Sequence, residues 1–156
     1  MTITGMLRAA SLGAGLAVAL SGAALAGEYS LTVDRVPIDT GDFRKTGVGY
    51  NGASPGPVLR FKEGEDVTIR VTNNLSESTS VHWHGLVLPF TQDGVPGLGY
   101  EGIAPGETFT YRFPLVQAGT YWFHSHSGQE PDGAYGAIII EPDAREPFRY
   151  DRDYVV

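Results

Sequence analysis

The sequence predicts an all-β fold, a Greek-key sandwich or barrel, on three observations. Apolar and polar residues alternate at period two over several short runs. The composition, with 21 Gly, 10 Pro and plentiful Val, Ile, Tyr and Phe, favours short strands and tight turns over a helical bundle. Turn dipeptides recur between the runs, as a sandwich or barrel requires. At 156 residues the chain has the length of one ordinary domain, so a single core is expected.

The first 26 residues read as a signal rather than as part of that core. They hold one charge, Arg8, then an apolar stretch from Leu12 to Leu20, then Ala24-Leu25-Ala26. The apolar run is shorter than the roughly 20 residues a membrane-spanning helix needs, and an A-x-A site follows it directly. Residues 1–26 are therefore expected to be a secretory signal peptide cleaved before Gly27, with an uncleaved anchoring helix as the alternative. A soluble periplasmic domain over residues 27–156 is the expected product, with no membrane association after cleavage.

Within that domain Tyr29, Leu31 and Val33 alternate with Ser30, Thr32 and Asp34. Val67, Ile69 and Val71 alternate in the same way, and so do Phe109, Tyr111 and Phe113. Further strands are expected at Val58 to Phe61, Ser80 to His84, Gly119 to His126 and Tyr135 to Glu141. Asn51-Gly52, Pro55-Gly56, Glu63-Gly64, Asp93-Gly94 and Pro105-Gly106 mark the turns between them. The tail from Pro142 is polar and turns toward a strand at Tyr154-Val155-Val156, where the sequence stops. The expectation is a first domain cut from a longer protein.

Charge and cysteine content exclude several functions. Lys and Arg number 11 against 18 Asp and Glu, a net charge of -7, and no basic run offers a surface to nucleic acid or anionic lipid. With no cysteine, the chain has no disulfide, no thiolate metal site and no cysteine nucleophile.

All four histidines lie in two His-x-His pairs, His82-Trp83-His84 and His124-Ser125-His126. Residues i and i+2 of a strand share a face, so each pair presents two imidazoles while Trp83 or Ser125 points the other way. One such pair is as easily a metal-free surface pair as a ligand pair. Two pairs with no other histidine point to a metal centre. An all-imidazole donor set with no carboxylate or thiolate favours copper over magnesium, calcium or iron–sulfur centres, while zinc stays open. Trp83, Tyr121 and Phe123 are expected in the core, and Trp122, on the face of His124, as a wall of the site.

The longer motifs resemble a known family. Val81-His82-Trp83-His84-Gly85-Leu86, Gln92-Asp93-Gly94-Val95-Pro96-Gly97, Gly119-Thr120-Tyr121-Trp122-Phe123-His124-Ser125-His126 and Tyr135-Gly136-Ala137-Ile138-Ile139-Ile140 are similar to the first cupredoxin domain of multicopper oxidases. The wording is nearest the bacterial copper-resistance group, and the resemblance covers Tyr29 to Val156. It implies a cupredoxin-like (plastocyanin-like, multicopper oxidase type 3) domain with copper as cofactor. His82 would serve a type 2 copper, His84 one type 3 copper, and His124 and His126 the type 3 pair. Asp93 falls where the family places an acid that helps deliver protons, although Asp-Gly is also an ordinary turn dipeptide. The family's remaining cluster histidines and the cysteine of its blue type 1 copper come from its last domain and have no counterpart here. The implied partners are copper ions and the missing carboxyl-terminal oxidase domains or a second chain. The alternative is a stand-alone periplasmic copper binder without turnover.

Overall fold

The alternating runs become strands in two four-stranded sheets, packed so that each buries its apolar face. The computed structural model describes residues 27–156, and the leader assigned to residues 1–26 lies outside them. The strands are β1 (Gly27–Asp39), β2 (Arg44–Tyr50), β3 (Leu59–Lys62), β4 (Asp66–Asn73), β5 (His82–His84), β6 (Thr108–Pro114), β7 (Gly119–His124) and β8 (Tyr135–Glu141). One sheet has the order β2-β1-β4-β6 and the other β3-β8-β7-β5. Every connection from β2 to β7 crosses between the sheets. β1 runs parallel to β4, and β3 parallel to β8; the remaining pairs are antiparallel.

The core lies between the sheets. Leu31, Val33, Val48, Ile69, Val71, Tyr111 and Phe113 face inward from the first sheet, and Leu59, Phe61, Trp83, Phe123, Ile138 and Ile140 from the second. Trp83 meets Tyr111 edge-on at a centroid separation of 5.1 Å and also contacts Phe113 and Phe123. Because successive strand residues point to opposite faces, burying Trp83 and Phe123 sends His82, His84, Trp122 and His124 to the outer face of the second sheet.

Four details differ from the sequence expectation. Strand β2 is not legible in the sequence, because Gly47 and Gly49 read as loop; yet a Cβ at Gly47 would strike the Ile38 side chain and the Asp132 carbonyl, and one at Gly49 the Ala53 carbonyl. Both glycines are close-packing positions in a strand. The strand expected from Ser80 begins at His82, and the one expected to reach His126 ends at His124. There the Ser125 amide turns to the Ala134 carbonyl at 3.0 Å. The strand expected at Tyr154-Val155-Val156 is absent: residues 142–156 form no strand. Pro142, Pro147 and closely spaced charges interrupt that segment, whose side-chain anchors include an Arg60–Asp153 ion pair at 3.0 Å.

Candidate metal centre

The site is assembled by strand register. In the antiparallel pair of β5 and β7, His82 stands opposite His124 and His84 opposite Trp122. The imidazole centroids of His82, His84 and His124 lie 5.3–5.5 Å from one another. One donor atom from each of the three falls within 4.8 Å of the other two. Residues about 40 apart in sequence thus meet because two short strands are neighbours, as period-two alternation requires.

Hydrogen bonds to carbonyls fix which nitrogens face the centre. His82 Nδ1 lies 2.7 Å from the Asp93 carbonyl, and His124 Nδ1 lies 3.0 Å from the Ser125 carbonyl. A carbonyl only accepts, so in each neutral ring the proton sits on Nδ1 and Nε2 keeps its lone pair. This is the arrangement in which the non-ligating nitrogen orients an imidazole toward a metal. His84 Nδ1 approaches His124 Nε2 at 3.3 Å. Two imidazole nitrogens that close must share a proton or a cation. With metal–nitrogen distances of about 2.0–2.1 Å, nitrogens about 3.3 Å apart fit two ligands of one ion in a near-tetrahedral arrangement. His84 and His124 therefore fit two ligands of one copper or zinc ion in donor type and spacing, and His82 stands beside them with its own donor within 4.8 Å.

His126 is placed differently. It lies past the end of β7, exposed, with its ring 5.6 Å from His82 and 6.1 Å from His124. The structure brings it beside the others but leaves it out of the tight set of three. Asp93 sits at the centre's rim: its carbonyl holds His82, its carboxylate Oδ1 is 3.4 Å from His82 Nδ1, and Gly94 after it has φ +77°. Trp122 stacks on His124 at 4.1 Å with a 20° interplanar angle and flanks His84 at 4.9 Å, so it does wall the site.

Burial shifts the proton affinity of His124. The residue is 6% exposed, and this desolvation holds its pKa below 6.5; the neighbouring His82 and His84 act the same way, against the Ser125 carbonyl and Glu130, whose Oε2 is 3.6 Å from Nδ1. The unfolded chain therefore takes up this proton more readily than the folded one. His124's contribution to stability is complete above pH 6.5 and is lost as pH falls through the depressed folded pKa. In the metal-free protein an NMR titration is expected to give His124 a midpoint below 6.5, and a midpoint above it contradicts this environment.

A family model described as multicopper oxidase matches residues 32–145. The chain belongs to the multicopper oxidase family. Copper resistance protein A of Pseudomonas syringae pv. tomato is 50% identical over 130 residues, 83% of this chain and 21% of that protein. Copper resistance protein A of Escherichia coli is likewise 50% identical, over 83% of this chain and 22% of its own length. The chain thus spans about a fifth of these relatives. Among solved structures, a multicopper oxidase from Pseudomonas thermotolerans superposes with a TM-score of 0.76 at 32% identity, covering 82% of this chain and 32% of that one. The fold is accordingly the cupredoxin-like sandwich expected, and membership of a multicopper oxidase family makes copper the implied metal.

The groups that hold the imidazoles are not visible in the sequence. The Asp93 and Ser125 carbonyls are backbone atoms and leave no side-chain signal. Gln129, Ser80 and Ser125 are polar residues with no sequence pattern that marks them for burial, yet all three are buried behind the site.

Proposed function

We propose that this chain is the copper-binding amino-terminal cupredoxin domain of a periplasmic multicopper oxidase acting in copper resistance, carrying half of the ligands of a type 2/type 3 trinuclear copper site. The observation that supports this most is the convergence of the His82, His84 and His124 donor atoms within 4.8 Å on one sheet face. His82 offers Nε2 to a type 2 position. His84 and His124 serve one type 3 copper, and His126, beside them, serves the type 3 pair. When bound, copper supplies one-electron chemistry toward dioxygen. The chain's own part is to present neutral imidazoles from a rigid sheet, to screen one side with Trp122, and to hold the Asp93 carboxylate beside His82, where it relays protons.

Two features leave the oxidase reading dependent on further protein. His84 and His126 are exposed, so the outer side of the centre is open to more ligands. No thiolate exists in the 156 residues for a type 1 copper, so the electron entry port lies in further carboxyl-terminal domains or a second chain. The same absence favours a second reading, a stand-alone periplasmic copper binder that buffers or delivers the metal.

Metal analysis with electron paramagnetic resonance of the chain from Gly27 onward tests both. The expected result is stoichiometric copper with imidazole nitrogen coupling and no blue centre, and no oxygen consumption by the chain alone. A protein that takes up only zinc, or no metal, contradicts both readings, while oxygen consumption rules out the buffering one. Fractionation with amino-terminal sequencing tests the location; a cytoplasmic protein retaining residues 1–26 opposes it.

A further inference from the structure

We propose that Gln129 is a positioning residue of the metal centre, setting where His126 stands; this rests on the copper reading above. His82, His84 and His124 are placed by the β5–β7 ladder, but His126 lies beyond the last residue of β7 and has no ladder partner. What holds it is a side-chain network. The His126 amide donates to Ser80 Oγ at 2.9 Å, and Ser127 Oγ joins the same oxygen at 2.9 Å. The Ser127 amide donates to Ser125 Oγ at 3.1 Å, and Ser125 Oγ in turn donates to Gln129 Oε1 at 2.5 Å.

Gln129 closes this network against the segment that leads into β5. Its Oε1 also accepts from Thr79 Oγ1 at 3.2 Å, and its Nε2 donates to the Ser78 carbonyl at 3.1 Å. The amide orientation is settled by these partners, because a flip would set Oε1 against a carbonyl oxygen. Gln129 is 6% exposed, Ser125 2%, and Thr79 and Ser80 are fully buried. Buried polar groups of this kind are costly unless satisfied, and fully satisfied networks rigidify what they join. Here they join residues 125–129, which carry His126, to residues 78–80, two positions before His82. Backbone bonds also close the loop: the Gln129 carbonyl accepts from the Ala134 amide at 3.1 Å and the Asp132 amide at 3.2 Å, and the Ser125 amide donates to the Ala134 carbonyl at 3.0 Å, which fixes the backbones of Gln129 and Ser125 but not that of His126.

The test uses Gln129→Met, which keeps side-chain length and removes both hydrogen-bonding groups, in the full mature chain. In the copper-free protein, hydrogen exchange at the His126 amide is expected to quicken at least about tenfold while the amides of Trp83 and Phe123 stay protected. Copper titration is expected to weaken by about 10–100-fold for the metal that depends on His126. Its paramagnetic resonance spectrum should match that of His126→Ala. The double variant Gln129→Met/His126→Ala should bind no more weakly than His126→Ala alone, whereas Gln129→Met combined with His82→Ala should lose more than either single change.

Unchanged exchange and unchanged affinity overturn the proposal, as does a loss that simply adds to that of His126→Ala. If the unaltered chain binds no copper, the metal reading falls and the exchange measurement alone decides the positioning role. If Gln129→Met does not fold, Ser80→Ala, which deletes the acceptor of the His126 amide, takes its place: faster exchange and weaker copper binding support the proposal, and no change in either overturns it.

Discussion

Replacing His82 and His124 together with alanine is expected to abolish tight copper binding by the chain from Gly27 onward while the sandwich stays folded. The two residues face each other across the β5–β7 pair, and each points a carbonyl-fixed Nε2 at the shared centre. Imidazole and thiolate ligands in four-coordinate zinc sites together supply about 10–16 kcal/mol, or roughly 3 kcal/mol each. Because His82 and His124 serve different copper positions, the double variant weakens both positions, each by on the order of a hundredfold. Each single variant should lose about a hundredfold. The sandwich should stay folded because both side chains lie outside the inter-sheet core; each loses one hydrogen bond of about 1 kcal/mol, and the buried His124 also loses its stacking on Trp122. Copper titration beside circular dichroism checks the pair. Retained tight binding in a folded double variant would place the metal elsewhere.

The second large effect concerns the residue between the two β5 histidines. Trp83→Ala is expected to destabilise the domain by about 3–5 kcal/mol, a large share of the roughly 5–15 kcal/mol typical of a domain. Trp83 is fully buried and packs on Tyr111, Phe113 and Phe123, side chains drawn from both sheets. Emptying that position removes the contact through which β5, an edge strand of three residues, is anchored to the core. Copper affinity should fall with it, since His82 and His84 flank the lost anchor. Trp83→Phe should cost less than half as much. Among the described residues the indole Nε1 has no hydrogen-bond partner, so the smaller ring discards a buried unsatisfied donor along with some volume. Urea denaturation of the two variants checks the contrast; Trp83→Ala within about 1 kcal/mol of the parent would mean that β5 is held by something else.

These two effects rest on features that differ in how far they can be read from the chain. Period two in Val67–Val71 and Phe109–Phe113 announces strands because each has one wet and one buried face, and the His-x-His spacing then dictates which way the imidazoles point. That logic holds for His82 and His84. It reaches His124 but not His126, since the strand ends between them and the second residue is placed by side-chain hydrogen bonds. Such bonds join residues about 50 apart and leave no periodic trace, which is why Gln129 and Ser80 are not legible in the sequence. Strand β2 is hidden for the opposite reason: Gly47 and Gly49 announce flexibility in sequence but meet a steric demand in the fold.

Whether one outer sheet face gathers imidazoles to hold copper is tested most directly by anomalous diffraction at the copper edge, from crystals of the copper-loaded chain from Gly27 onward. A peak is expected about 2.0–2.1 Å from His84 and His124 nitrogens, with His82 Nε2 directed at the same centre. A peak at the acidic surface or the amino terminus, with the three imidazoles unliganded, would refute the copper centre.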